Sequence, residues 1–185
     1  MSKVKCSYKL NRITGFTLIE LVIVIIIIAV LAVGVFTRFD GTSGYAEYTY
    51  QARLISSLRH MQQRAMQDTR QDYCFRVAFD LGTTPAFGLP SMSYISGSAS
   101  DTCSSSIDYS TADYLHTSET EMQQAAVKLE VEGDDGTPYD FIGFNHLGQP
   151  LSTGNNCNPT CKIALKAEQT LYVCVEPQGY VHACD

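Results

Sequence analysis

Basic residues are nearly missing from the C-terminal part of this chain. Val77–Asp185 holds 3 lysines, no arginine and 14 acidic residues, a net of 3 − 14 = −11. A surface that neutralises nucleic-acid phosphates needs the opposite balance, so nucleic acid is not expected as a partner. Carboxylates are missing from the other end, where residues 1–15 hold Lys3, Lys5, Lys9 and Arg12 and no acid. Patterns of common catalytic centres are absent too: there is no HExxH, no G-x-S-x-G and no glycine-rich phosphate loop, and His60, His116, His146 and His182 are isolated from one another. The expectation is therefore a protein that is not an enzyme, with no catalytic residues, no metal and no cofactor. An A-x-A cleavage site after the first apolar run is also lacking, which excludes an ordinary secretory signal.

That apolar run is the most informative feature present. Phe16–Phe36 is an almost unbroken series of Leu, Ile, Val and Ala, and as a helix it would be about 31 Å long at ~1.5 Å per residue, enough to cross a bilayer. It begins abruptly at Gly15-Phe16-Thr17-Leu18-Ile19-Glu20-Leu21. A charged side chain inside a bilayer helix costs roughly 2.5–3.5 kcal/mol on insertion scales, so Glu20 is a functional candidate by default. The simpler alternative is an interfacial acid favoured by the positive end of the helix dipole. Basic residues before the span and a net-acidic chain after it orient the helix with its N-terminus in the cytoplasm and its bulk outside.

The hexapeptide Gly15-Phe16-Thr17-Leu18-Ile19-Glu20, with the basic leader before it and the span after it, resembles the class III signal of type IV prepilins and type II secretion pseudopilins. The resemblance implies a prepilin peptidase that cuts after Gly15 and N-methylates Phe16, so that residues 1–15 are a cleaved leader. It also implies other pilin subunits and an inner-membrane assembly platform as partners. The new amine of Phe16 would lie one helical turn from Glu20. In low dielectric such an amine–carboxylate pair interacts far more strongly than in water. The resemblance implies that Glu20 takes this amine from a neighbouring subunit during assembly. The expected location is the inner membrane, with a single pass and a periplasmic head, and then the pilus at the cell surface.

The rest of the chain divides by pattern. Residues 37–44, with Gly41 and Gly44, read as a flexible joint; Thr37 stands where many relatives have a proline, so bending is expected at Gly34, Gly41 and Gly44. Over 45–72, Leu54, Leu58, Met61 and Ala65 recur at helical spacing, with Ile55 and Met66 widening the stripe. The segments Gln51–Arg59 and Gln62–Met66 resemble minor pilins of the mannose-sensitive haemagglutinin type and also the pseudopilin H group. Beyond Tyr73 the pattern turns to strands at 74–79, 127–132, 139–144, 162–166, 170–176 and 179–183, read as an antiparallel meander. The expected fold is α+β and type IV pilin-like: a long N-terminal helix, transmembrane in its first half (16–36) and amphipathic in its second (45–72), packed on a disulfide-bonded antiparallel β-sheet head (73–185). The stretch Ser91–Ser118 is read as a solvated surface loop too polar for the core.

Seven cysteines are present, and removal of a leader containing Cys6 leaves six. Cys74, Cys103, Cys157, Cys161, Cys174 and Cys184 are disulfide candidates for an oxidising compartment, with fifteen possible connectivities. Local closure favours Cys157 with Cys161; Cys74 with Cys103 would tie the polar loop to the first strand, and Cys174 with Cys184 flank the final turn. A zinc site is the rival reading. Glu132-Gly133-Asp134-Asp135-Gly136 with Asp140 offers hard oxygen ligands for calcium but lacks EF-hand spacing, and a hairpin turn explains the same residues without metal.

Overall fold

A computed structural model describes residues 16–39, 45–94, 101–132, 138–153 and 157–185, the backbone alone for 32–39 and 132. The leader with Gly15 and Cys6, most of the joint, and the acidic turn at 133–137 lie outside the described residues. The chain divides into two compact units, one ending at Gly41 and the other spanning Thr42–Asp185.

The first unit is described by one helix, α1 (Leu18–Phe39). Its side chains are apolar on every side, and Leu18, Ile19, Leu21, Ile25, Ile28 and Leu31 are all exposed. A helix apolar all round is found inside a large core or in lipid. Among the described residues no helix is long and apolar enough to cross a membrane; α1 side chains are described only to Leu31, so the expected span over 16–36 falls partly outside them.

The second unit is organised around α2 (Ala46–Gln67), which buries Tyr50, Leu54, Ser57, Leu58, Met61 and Ala65. These positions repeat every three or four residues because that spacing returns to one face of a 3.6-residue helix. The helix ends at Asp68, whose backbone is extended (φ −94°, ψ 130°). Residues 68–72, read from the sequence as a last helical turn, instead lead into the first strand, and the Asp68 carboxylate accepts hydrogen bonds from Arg70.

Eight strands form two four-stranded antiparallel sheets. One contains β1 (Phe75–Asp80), β2 (Ala86–Gly88), β4 (Phe141–Phe144) and β5 (Pro150–Ser152) in the order β2-β1-β4-β5; the other contains β3 (Lys128–Glu132), β6 (Cys161–Lys166), β7 (Thr170–Val175) and β8 (Val181–Cys184) in the order β3-β6-β7-β8. β6, β7 and β8 form the expected meander, whereas β3 pairs with β6 and β4 pairs with β1. β3 and β4, which flank the acidic residues 133–137, therefore lie in different sheets and are not the two strands of a hairpin, as the sequence reading expected. β2 and β5 have three residues each, too short to produce a visible alternation.

The core lies between α2 and the inner faces of both sheets. Leu54, Leu58 and Met61 share it with Val77, Ile142, Ile163, Leu165 and Val173, all 1% exposed or less. Gln62 of α2 holds the sheets together at one end: its Nε2 donates to Gly148 O at 2.8 Å in the β4–β5 turn and to Gly179 O at 2.6 Å in the β7–β8 turn. The turns approach so closely that a Cβ on Gly179 would lie 2.0 Å from Gly148 O, and Gly179 has φ +91°, so this position requires glycine.

Candidate functional site

The residues expected to carry assembly lie at the start of α1. Thr17 precedes the helix, its Oγ1 accepts the Glu20 N–H at 3.3 Å, and its carbonyl accepts the N–H groups of Glu20 and Leu21 at 3.1 and 3.2 Å. Thr-x-x-Glu is the sequence form of a capping box, in which the hydroxyl satisfies one of the orphan N–H groups of the first turn. Glu20 thus occupies the first turn, where the helix dipole favours its negative charge. Its carboxylate is exposed and accepts no hydrogen bond among the described residues. Phe16, 78% exposed, lies just ahead of Thr17. An accessible acid one turn from the Phe16 end of an apolar rod leaves a carboxylate open to an amine from outside the chain. Gly15, the other half of the expected cleavage site, is outside the described residues.

The six candidate cysteines form three pairs: Cys74–Cys103, Cys157–Cys161 and Cys174–Cys184. Neighbouring contacts account for two of them. Thr102 Oγ1 accepts the Cys74 N–H at 3.0 Å, bringing the 101–103 turn against the start of β1. Cys174 lies opposite His182 in the β7–β8 register, and Tyr172 lies opposite Cys184, so the two cysteines are near neighbours across that ladder. With all six oxidised, none remains as a thiolate for zinc. Among the described residues, no group of three or more His, Cys, Asp or Glu side chains is arranged to hold a metal ion.

The histidines do not converge. His60 is on α2, where burial and then Arg64 lower its pKa. His116 is buried and shares a hydrogen bond with Thr111 Oγ1 at 3.1 Å. His146 is exposed in the β4–β5 turn, and His182 faces Glu176 at 3.2 Å on β8.

Two features were not visible in the sequence. First, the end of the Ser91–Ser118 stretch is part of the packed head: Thr102, Leu115, His116 and Thr117 are buried. α2 holds this stretch through Arg53, which donates to Glu121 Oε1 at 2.9 Å and to His116 O at 3.3 Å, and through Ser57, which donates to Leu115 O at 3.0 Å. Polar composition misled because these groups are satisfied by α2 side chains and by hydrogen bonds such as Phe87 N–H to Thr117 Oγ1 at 3.1 Å. Second, a groove of about 690 Å³ is lined by Asp80, Tyr109, Glu119 and Asp140 with several hydroxyls and no basic side chain. Burial, then Asp80 and Glu119, raise the pKa of Tyr109. Its walls come from four distant segments, so no local motif could have announced it.

A sequence model of the prokaryotic N-terminal methylation motif, the class III signal of type IV pilins, matches residues 10–36. That motif supports a type IV pilin or pseudopilin made as a membrane-anchored precursor, and it implies processing by a prepilin peptidase and assembly with pilins. The helix, antiparallel sheets and disulfides of the head fit a pilin-like fold. No curated protein and no solved structure matches the chain.

Proposed function

We propose that this chain is a minor pilin: a structural or priming subunit of a type IV pilus of the haemagglutinin-type adhesive kind, and not an enzyme. The observation that carries the reading is the methylation motif over residues 10–36, with Glu20 exposed in the capped first turn and without a side-chain partner among the described residues. In this reading the precursor is held in the inner membrane with its head in the periplasm. The peptidase cuts between Gly15 and Phe16 and methylates Phe16. Glu20 then accepts the N-terminal amine of a neighbouring subunit as α1 leaves lipid for the helical centre of a filament. Exchanging one apolar surrounding for another costs little, while an ion pair formed there is strong and directional.

Two measurements test this. Intact-mass analysis of the native product should give a chain beginning at N-methylated Phe16; a chain beginning at Met1, or cut after the apolar run, refutes the assignment. Glu20→Ala should still be inserted and cleaved but should be missing from sheared filaments, or should reduce their number. Normal piliation with normal incorporation of the variant would favour a membrane-anchored adhesin instead. The second reading, a minor pseudopilin of a type II secretion system, is supported by the likeness of Gln51–Met66 to the pseudopilin H group. A deletion strain that keeps its surface pili but no longer secretes its exoproteins selects it.

A further inference from the structure

The outer face of the β1–β4–β5 sheet carries a cation in a small apolar recess. Inward positions Phe75, Val77, Ile142 and Phe144 are buried in the core, so the alternation of a strand turns Arg76 and Phe141 outward. The register places Arg76 opposite Gly143, and Gly143 opposite Leu151 of the edge strand. Gly143 cannot be enlarged freely, since a Cβ there would lie 3.0 Å from Phe75 O and 3.4 Å from Arg76 Cβ. A hollow of about 170 Å³ beside Gly143 is lined by the outward Arg76, Phe141 and Leu151, and it is also touched by Tyr73, Phe75 and Phe144, which belong to the core.

The Arg76 guanidinium lies over the Phe141 ring, 3.8 Å from its centroid, and Nη1 donates to Cys103 O at 2.9 Å. Its Nε is buried with no hydrogen-bond partner, and no carboxylate pairs with Arg76 among the described residues. Elsewhere in the head, Arg53 pairs with Glu121, Arg70 with Asp68 and Lys166 with Glu130. Arg76 therefore keeps its charge against desolvation, which lowers its pKa, with only a carbonyl and an aromatic face in support. A guanidinium fixed by stacking and by one hydrogen bond presents its remaining N–H groups in a planar array that matches a carboxylate.

We propose that this recess is a binding site for a small apolar carboxylate, with Arg76 holding the carboxylate and Phe141 and Leu151 covering the apolar body. The volume suits a single ring or branched alkyl group. The ligand is either a free acid or the C-terminal residue of a peptide, which present the same chemistry. The site does not depend on the pilin reading and would stand if that reading failed.

The test uses the full chain in detergent with the arginine side chains labelled, following the Arg76 Nε–H resonance by NMR during titration with benzoate, with N-acetylphenylalanine and with benzamide as the neutral control. Saturable shifts with either acid and none with benzamide are expected; the tighter acid identifies the source, free acid or peptide end. Arg76→Gln, followed through the ligand signals by saturation transfer, should weaken binding roughly tenfold or more, the scale of a charge-assisted pair. Leu151 is 39% exposed, so Leu151→Trp should keep the fold while filling the recess, and it should abolish the shift with Arg76 intact. Equal responses to benzoate and benzamide, no response to either acid, or undiminished binding by folded Leu151→Trp would overturn the proposal.

Discussion

α1 and α2 are both 22-residue helices, and each has a glutamate in its first turn. α2 is amphipathic, and its apolar stripe is covered by strands of its own chain. α1 is apolar on every described side, and that surface is exposed. The glutamates are reversed in the same sense. Glu20 is exposed on a helix otherwise suited to lipid, whereas Glu47 is fully buried in the head with neither carboxylate oxygen hydrogen-bonded among the described residues. One helix specifies a fold and the other specifies an environment that its own chain does not provide.

The largest expected effect that separates the two comes from truncating one apolar residue in each. Leu58→Ala, at a site with 0% exposure, should destabilise the head by about 3 kcal/mol, within the ~2–5 kcal/mol range for buried leucine. Ile25→Ala, at a site 56% exposed, should leave head melting unchanged. Calorimetry of both variants in detergent checks this, and equal shifts would abolish the distinction. Next, replacing Cys74 and Cys103 by serine should cost about 3 kcal/mol, and more than removing Cys157–Cys161, because the closed loops span 29 and 4 residues. Denaturant melts of the two double variants give the order.

Glu47→Met sharpens the contrast between the glutamates. Removing a buried acid without a hydrogen-bond partner should raise head stability by roughly 1–3 kcal/mol while leaving incorporation into filaments unaffected. Glu20→Ala should leave head stability unchanged and remove the chain from filaments. The smallest effect is on pH dependence. The Glu176 pKa is lowered by its hydrogen bond from Thr160 and then by His182. A carboxyl with a lower pKa in the folded state contributes stability above its unfolded value, near ~4.3, and loses it as pH falls through the folded value. Glu176→Gln should therefore lower stability slightly at neutral pH, where the carboxylate's contribution is fully present, and flatten the loss of stability as pH falls through that acid range, so that variant and parent converge at the lowest pH.

Legibility in the sequence followed the distance over which each structure is determined. The motif at Gly15–Glu20 is a contiguous string, and α2 follows from a repeat of three or four residues, so both could be read directly. The pairing of β3 with β6 could not, because it depends on which of several similar strands meets Lys128–Glu132. The burial of Leu115, His116 and Thr117 was hidden for a related reason: their partners, Arg53 and Ser57, lie about sixty residues earlier on α2. The acidic groove and the Arg76 recess combine side chains from separate elements and have no local pattern at all.

The polar residues of α2 have a mechanical meaning. Along its length Tyr48 reaches Gln169, Gln51 reaches Tyr172 O, Arg53 reaches Glu121, Ser57 reaches Leu115 O, Arg59 reaches Val181 O, and Gln62 reaches both turn carbonyls. A pull applied along the helix axis would load these bonds together, in shear and in parallel, and would not peel them one at a time. Such a row resists sliding far better than any single link in it, and under the proposed pilin role it would keep the head attached to its own helix while a fibre is under tension.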